Sequence, residues 1–141
     1  RAIGATGSIH APLINLAAVA YERQNYPLAL TRLHEALDLF DSMPDKDGLA
    51  AILELIAVTI SALGDPARGV RLFGASDALR HTMHLQRYGE PGEYEAEVAK
   101  MRQMLGTEAF DVQRRIGASL TLERALEEAR QTRFLETPRR G

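Results

Sequence analysis

Two histidines are the first residues of this chain whose type and spacing could do chemistry. His81 and His84 lie three positions apart, so on a helix their imidazoles share one face and could hold a metal ion. A metal site needs further ligands, and the one carboxylate at ligand spacing in that segment is Asp77. We therefore interpret the pair as a solvated helix end, where a cationic imidazole also suits the helix dipole. No metal site is predicted.

Other residues that could do chemistry also lack the context that the chemistry needs. The segment from Gly4 to Ser8 holds two glycines, but a P-loop requires a Lys after its last glycine and a strand before its first. No G-x-S-x-G nucleophile motif occurs. His34, beside Glu35, is interpreted as a surface or interface residue. We predict no catalytic residue, no cofactor and no enzymatic activity.

Length and composition indicate one compact domain. The chain has 141 residues, 45% of them hydrophobic, and a net charge of −2, so a core can form and nucleic acid is not the electrostatic default. It has no cysteine, which fits a reducing compartment, and we expect it to be cytoplasmic. Its most apolar run, Leu49 to Leu63, contains Glu54 and is too short and too polar to span a membrane. Because the chain starts at Arg1 without an initiator Met, we expect a fragment of a longer protein.

A sequence repeat predicts the helices that would position any functional site. Two stretches, Leu13 to Leu39 and Leu53 to Leu79, are versions of one helical hairpin set 40 residues apart. A period of about 34 to 47 residues is typical of an α-solenoid, in which neighbouring units stack to bury their apolar faces. Like residues meet at Leu13 with Leu53, Leu16 with Ile56, Ala17 with Ala57, Ala29 with Gly69, Leu33 with Phe73 and Leu39 with Leu79.

The pattern predicts an all-α fold of stacked antiparallel hairpins with six or seven helices and no strand. Helix starts are predicted at Pro66, which suits a first-turn position, at Thr121, and after the capping residues Ser8 and Thr107. The whole chain, 1–141, is expected to be one helical-repeat domain, divided into hairpin 1 at 8–43, hairpin 2 at 48–85, divergent capping helices at 92–135 and a tail at 136–141.

The hairpins resemble the tetratricopeptide repeat. The resemblance is carried by Leu16-Ala17, Tyr21, Asn25-Tyr26, Ala29, Leu33 and Ala36-Leu37, with small residues where the helices cross and larger ones filling the gap to the next hairpin. The segment from Tyr94 to Ile116 departs from this pattern, with Asp111 and Arg115 where a small residue and an aromatic are expected. We interpret it as a capping unit, which terminal repeats need.

A second resemblance covers roughly the last half of the chain. The resemblance is carried by three sequence segments: Gly64 to Arg80, Leu105 to Phe110, and Leu120 to Leu126. This succession resembles the C-terminal helical-repeat end of large bacterial regulators of the LuxR and MalT-like or SARP-like type. The resemblance implies regulation through binding of a protein or an effector to the repeats.

The third helix departs from a plain solvated repeat. It is apolar nearly all round, and in an open array the partner helices alone would leave part of that surface uncovered. Three occupants could cover it: repeats that lie upstream in a longer chain, a second copy of this chain, or a peptide or small apolar effector bound in a groove. The candidate groove residues are Ile52, Leu55, Ile56, Thr59 and Ile60.

The sequence therefore predicts a non-enzymatic module for protein–protein interaction or oligomerisation in a bacterial transcriptional regulator. Its ligand would be a protein partner or a second copy of the chain, as in a homodimer. The alternative is a domain that senses a small-molecule effector in an apolar groove. No membrane association is expected. Nucleic-acid contact is not expected either, because Arg133, Arg139 and Arg140 are few beside an otherwise acidic domain.

Overall fold

In the computed structural model, residues 10–40, 46–85 and 92–132 are described, and within these ranges the chain forms helices and no strand. The all-α prediction is confirmed. The helices are α1 (His10–Glu22), α2 (Tyr26–Phe40), α3 (Lys46–Ala62), α4 (Pro66–Met83), α5 (Glu93–Leu105), α6 (Thr107–Ala118) and α7 (Leu122–Arg130). The predicted cap Ser8, the segment Gly4 to Ser8 and the tail 136–141 lie outside the described residues.

The 40-residue repeat is visible in the backbone of the two hairpin turns. In the α1–α2 turn the Asn25 amide donates to the Ala20 carbonyl at 2.8 Å, and in the α3–α4 turn the Asp65 amide donates to the Ile60 carbonyl at 2.9 Å. The side chains of Asn25 and Asp65 both accept from the amide three residues later, at 3.4 and 3.3 Å. The two hairpins therefore begin their second helices in the same way.

The residue before each of these turn positions has a left-handed backbone. Gln24 has φ 64° and its repeat equivalent Gly64 has φ 109°. Glycine adopts such a conformation without a steric penalty, whereas a residue with a side chain pays one. The turn geometry is thus shared even though the residue type is not.

Small residues lie where α3 crosses α4, as the repeat pattern predicts. Gly69 is buried, and a Cβ added to it would press against the Ala57 carbonyl and the Ser61 hydroxyl. Ala17 and Ala57 are fully buried. Around the crossings, a continuous core fills the space between the first four helices, with the fully buried side chains of Leu30, Leu33, Leu37, Leu53, Ile56, Leu72 and Phe73.

The last three helices do not continue the stack as a third copy of the hairpin. α6 packs along α4, and both α5 and α7 contact α3. Asp111 and Arg115 are exposed, and the small residue of the α4–α6 crossing is Gly117. α7 also reaches the first hairpin: the buried ring of His34 on α2 lies 2.9 Å from the Thr132 hydroxyl and 3.1 Å from the Ala129 carbonyl. His34 is therefore an internal contact and not a surface residue.

Two of the predicted helix starts are confirmed and one is wrong. Pro66 lies in the first turn of α4, and the Thr121 hydroxyl accepts from the Arg124 amide at 3.1 Å. Thr107 is the first residue of α6 and not its cap. The capping position belongs to Gly106, with φ 92° and ψ 148°, a backbone conformation essentially restricted to glycine.

Candidate interaction surfaces

The side chains of the predicted groove on α3 are mostly covered. Ile52, Ile56, Thr59 and Ile60 are all 0% exposed, and Leu55 is half-buried. The expectation that this face of α3 is left uncovered is wrong, because it assumed an open array, whereas α1, α2, α4, α5 and α7 all contact α3. No described contact tests whether a partner or effector binds there, and binding would require these helices to separate.

Exposed apolar side chains lie instead on the outer helices. On α1, Leu16 is 53% and Val19 45% exposed; on α6, Val112 and Ile116 are each 41% exposed. Leu16 and Val19 define what we call the α1 face, together with the exposed Pro12. Val112, Ile116 and the exposed Ala109 define the α6 face; their spacing of three and four places them on one side of the helix.

Sequence reasoning missed the α6 face. A signal was present: α6 carries two apolar rows, one containing the buried Phe110 and Gly117 and the other containing Val112 and Ile116. A helix that packs on a single neighbour needs only one such row. The row containing Val112 and Ile116 stays exposed although α6 contacts both α4 and α5, so it indicates room for a further neighbour.

A small apolar cleft lies between hairpin 2 and the α6–α7 junction. Its volume is about 220 Å³, below the 300 to 1,000 Å³ typical of sites for drug-sized ligands. None of the predicted groove residues lines it, and the α3 residue in its lining is Leu53. The lining residues are Leu53, Ala75, Ala78, Leu79, Thr82, Ala118, Leu120, Leu122 and Ala125.

The segment from Arg71 to Arg80 on α4 makes the contacts that position α6 and α7. Arg71 forms an ion pair with Glu128 of α7 at 3.2 Å and donates to Gln113 of α6 at 3.0 Å. Gly74 lets the Arg114 backbone approach, since an added Cβ would collide with the Arg114 carbonyl. Within hairpin 2, the Ser76 hydroxyl donates to the Ala50 carbonyl at 3.0 Å. The residues that carry the resemblance to regulators therefore hold α6 and α7 on the hairpins.

The densest polar cluster joins α4, α5 and α6. The Arg114 guanidinium donates to the Asp77 carboxylate and to the Tyr94 hydroxyl, both at 2.7 Å, and the Tyr94 hydroxyl donates to Asp77 at 2.6 Å. The Tyr94 ring stacks on Phe73 with centroids 5.4 Å apart. Burial lowers the pKa of Arg114, but the hydrogen bond to Asp77 and the charges of Tyr94 and Asp77 outweigh it and raise the pKa overall.

A second polar cluster joins α1 to α5. The Tyr21 hydroxyl lies 3.2 Å from a carboxylate oxygen of Glu97, and Lys100 donates to the Tyr21 oxygen at 3.4 Å. Burial, followed by the charge of Glu97 and the hydrogen bond to it, raises the pKa of Tyr21 well above its usual range. The phenol therefore stays protonated and acts as a donor to Glu97.

The histidines singled out for metal binding lie as predicted at a solvated helix end. His81 and His84 are both exposed, and the His84 amide caps α4 by bonding to the carbonyls of Arg80 and His81. Asp77 is engaged with Arg114 instead. In the described ranges, no three side chains of metal-ligating type come together, and no helix has the length and apolarity to cross a membrane.

Two stacked hairpins and three divergent helices form a helical-repeat scaffold. Its exposed apolar side chains lie on the outer helices α1 and α6. The chain is 32% identical over 136 residues to proteins that carry the name "Putative HTH-type transcriptional regulator" in Mycobacterium tuberculosis and Mycobacterium bovis. The match covers 94% of this chain but 15% of the length of these relatives. No family model and no solved structure matches the chain. The chain is thus similar to one segment of long regulators.

Proposed function

We propose that the chain is a non-enzymatic interaction and oligomerisation module of a bacterial transcriptional regulator. The observation that carries the proposal is the α6 face, an apolar row on the outside of a scaffold whose core is already filled. Burying such a row against another protein is favourable at roughly 25 cal/mol per Å² of apolar surface. The similarity to a segment of proteins named as regulators supports the regulatory context.

The type of parent protein, the cellular setting and the partner are inferred from the sequence. The tetratricopeptide-like pattern of Ala17, Ala29 and Leu33 and the phrase from Gly64 to Arg80 support a LuxR and MalT-like or SARP-like parent protein. The absence of cysteine supports a cytoplasmic setting. The partner that best fits these features is a protein or a second copy of the chain.

Light scattering after gel filtration tests the self-association part of the proposal. We expect the wild-type chain to be a dimer or larger, and Ile116→Glu to make it monomeric, because a buried unpaired carboxylate is costly at an apolar interface. Gln103→Glu is the matched control, since it adds the same charge at an exposed position of α5 and should leave the mass unchanged. A wild-type monomer, or equal masses for all three proteins, would reject self-association through the α6 face.

A second candidate function is sensing of a small apolar effector, and the cleft beside the α6–α7 junction favours it. The cleft lies between α4 and α7, so a bound molecule would touch both the repeat and the capping helices. Thermal shift with small hydrophobic metabolites tests this function. A ligand at 100 times its Kd stabilises the folded state by about 2.7 kcal/mol.

Ala118→Leu provides the control for the effector experiment. Ala118 is exposed at the mouth of the cleft, so a larger side chain there should fill the cleft with little cost to folding. A ligand whose stabilising effect persists in Ala118→Leu binds elsewhere. If no metabolite shifts the melting temperature of the wild type, the effector hypothesis loses its support.

A further inference from the structure

The α1 face is the repeat equivalent of a surface that is buried inside this same chain. With the 40-residue offset, Pro12, Leu16 and Val19 correspond to Ile52, Ile56 and Thr59 of α3. The three residues of α3 are 0% exposed, whereas Leu16 and Val19 are about half exposed at 53% and 45%. The same side of the same helix is thus covered in one repeat and uncovered in the other.

The neighbours of the two helices explain the difference. Each helix packs on the second helix of its own hairpin, α2 for α1 and α4 for α3. What α3 has in addition is the preceding hairpin, α1 and α2, and to a smaller extent α5 and α7. From α2 the fully buried side chains of Leu30, Leu33 and Leu37 join the same core as α3. The surface that α1 exposes is therefore the kind that a preceding hairpin covers.

The composition of α1 points independently to a covered helix. Between His10 and Glu22 the helix has no charged residue, and Asn15 is the one polar side chain before Tyr21. A helix at the edge of a soluble protein ordinarily turns charged residues to water, whereas a helix apolar on most sides has neighbours on most sides. α1 therefore has the composition of an internal helix of the stack.

We infer that the α1 face is the docking surface for one further helical hairpin of the same repeat type, whose second helix packs on α1 as α2 packs on α3. Its source would be the polypeptide that precedes α1 in a longer chain, as the relatives are long enough to supply: the match spans 15% of their length. This inference rests on the proposed function and deepens it, because it names the partner of one surface of the module.

The test compares the 141-residue chain with an extended chain in which residues 8–47 are inserted a second time between Gly7 and Ser8. The insertion keeps the 40-residue period and repeats the natural connection between α2 and α3. Leu16→Ala is then made in both chains, in the second copy of α1 in the extended one, and the unfolding equilibrium constant is measured with urea. Met104→Ala, at a comparably exposed position on α5 that belongs to neither the α1 face nor the α6 face, is the matched control.

In the 141-residue chain, Leu16→Ala should change the equilibrium constant by about twofold or less, as at other exposed positions. In the extended chain it should raise the constant by about thirtyfold or more, as expected of a buried leucine. Met104→Ala should remain within about twofold in both chains. Amide exchange in the α1 that follows the inserted hairpin should slow in parallel.

Four results would overturn the inference. The first two are a near-neutral Leu16→Ala in the extended chain and an inserted hairpin that fails to become protected from exchange. The third is a thirtyfold effect already present in a monomeric 141-residue chain, which would mean that the chain covers this face itself. The fourth is a dimer of that chain that Leu16→Glu makes monomeric, which would assign the face to a second copy. The Ile116→Glu measurement concerns a different helix, α6, so failure of self-association there is distinguishable from each of these.

Discussion

The two hairpins and the three helices that follow them are held together by different kinds of contact. Between the hairpins the contact is a core of aliphatic side chains, such as Leu33, Leu53 and Ile56, that recur with the repeat. Around α6 and α7 the contact consists of close backbone approach at glycines and of polar pairs such as Arg114 with Asp77. An aliphatic core accepts many residue combinations of similar volume, whereas a glycine contact or a buried pair specifies one geometry.

This difference explains how the stack can end. A repeat interface can be propagated, because each hairpin presents on one side what the next covers on the other. Contacts that occur once, such as Gly74 against Arg114, offer nothing for a further repeat to copy. α5, α6 and α7 therefore do not form a third copy of the hairpin interface, whereas the exposed α1 face has the apolar character of a repeat interface.

The largest expected effect comes from the glycines of the α4–α6 crossing. A Cβ at Gly117 would collide with the Arg71 carbonyl, and a Cβ at Gly74 with the Arg114 carbonyl. Backbone atoms inside helices cannot move aside as a side chain can, so the helices must separate. We expect Gly117→Ala and Gly74→Ala each to lower the free energy of unfolding by about 3 kcal/mol, despite the better helix propensity of alanine. Urea unfolding followed by circular dichroism measures this.

Ala99→Leu is the control for the glycine variants. It also adds volume to a helix, but at an exposed position of α5 and with little change in helix propensity. Its free energy of unfolding should stay within about 0.5 kcal/mol of wild type. If Gly117→Ala proved equally mild, the close approach of α4 and α6 would not be what fixes the capping helices.

The contact between His34 and Thr132 should have the next largest effect. It joins hairpin 1 to the end of α7 and is buried at both residues. Thr132→Val keeps the shape but removes the hydroxyl, so the imidazole loses a partner; we expect a cost of about 2 kcal/mol. A double-mutant cycle with His34→Leu measures the coupling, which should exceed about 0.5 kcal/mol for residues in contact. Additive effects would show that α7 is held by other contacts.

The residues just described mark where sequence reasoning succeeds and where it stops. The hairpins were predictable because Leu16 with Ile56 and Ala29 with Gly69 repeat at a fixed period. The attachment of α7 was not, because it depends on pairs such as Arg71 with Glu128 and His34 with Thr132, which lie 57 and 98 positions apart in the sequence. The expected exposure of this face of α3 was wrong because that expectation assumed an open array, whereas α1 and α2, with smaller contributions from α5 and α7, cover α3. The face that is left uncovered is the α1 face, at the repeat-equivalent positions of α1.

Ion pairs in the two regions should differ in a smaller but measurable way. Asp77 and Arg114 are half-buried and share Tyr94, whereas Arg32 and Glu35 form a more exposed pair three residues apart within α2. We expect Asp77→Asn to destabilise the fold by about 1 kcal/mol, a value that allows for the partial exposure of the pair. Glu35→Gln should change the free energy of unfolding by less than about 0.5 kcal/mol. Equal effects in chemical denaturation would remove this distinction between the regions.

The smallest effect at neutral pH is expected at Tyr21, the contact between α1 and α5. Its pKa is raised by burial and by Glu97, so the folded protein holds the phenol proton more tightly than the unfolded chain does. The resulting contribution to stability is fully present below the unfolded pKa of about 10 and is lost as the pH rises from there toward the folded pKa. Wild type should therefore lose more stability than Tyr21→Phe between about pH 9.5 and 11, while Tyr26→Phe serves as a neighbouring tyrosine control. Parallel pH profiles for wild type and Tyr21→Phe would mean that Glu97 does not hold this phenol, and that α5 is attached through its other contacts, such as Tyr94 with Asp77.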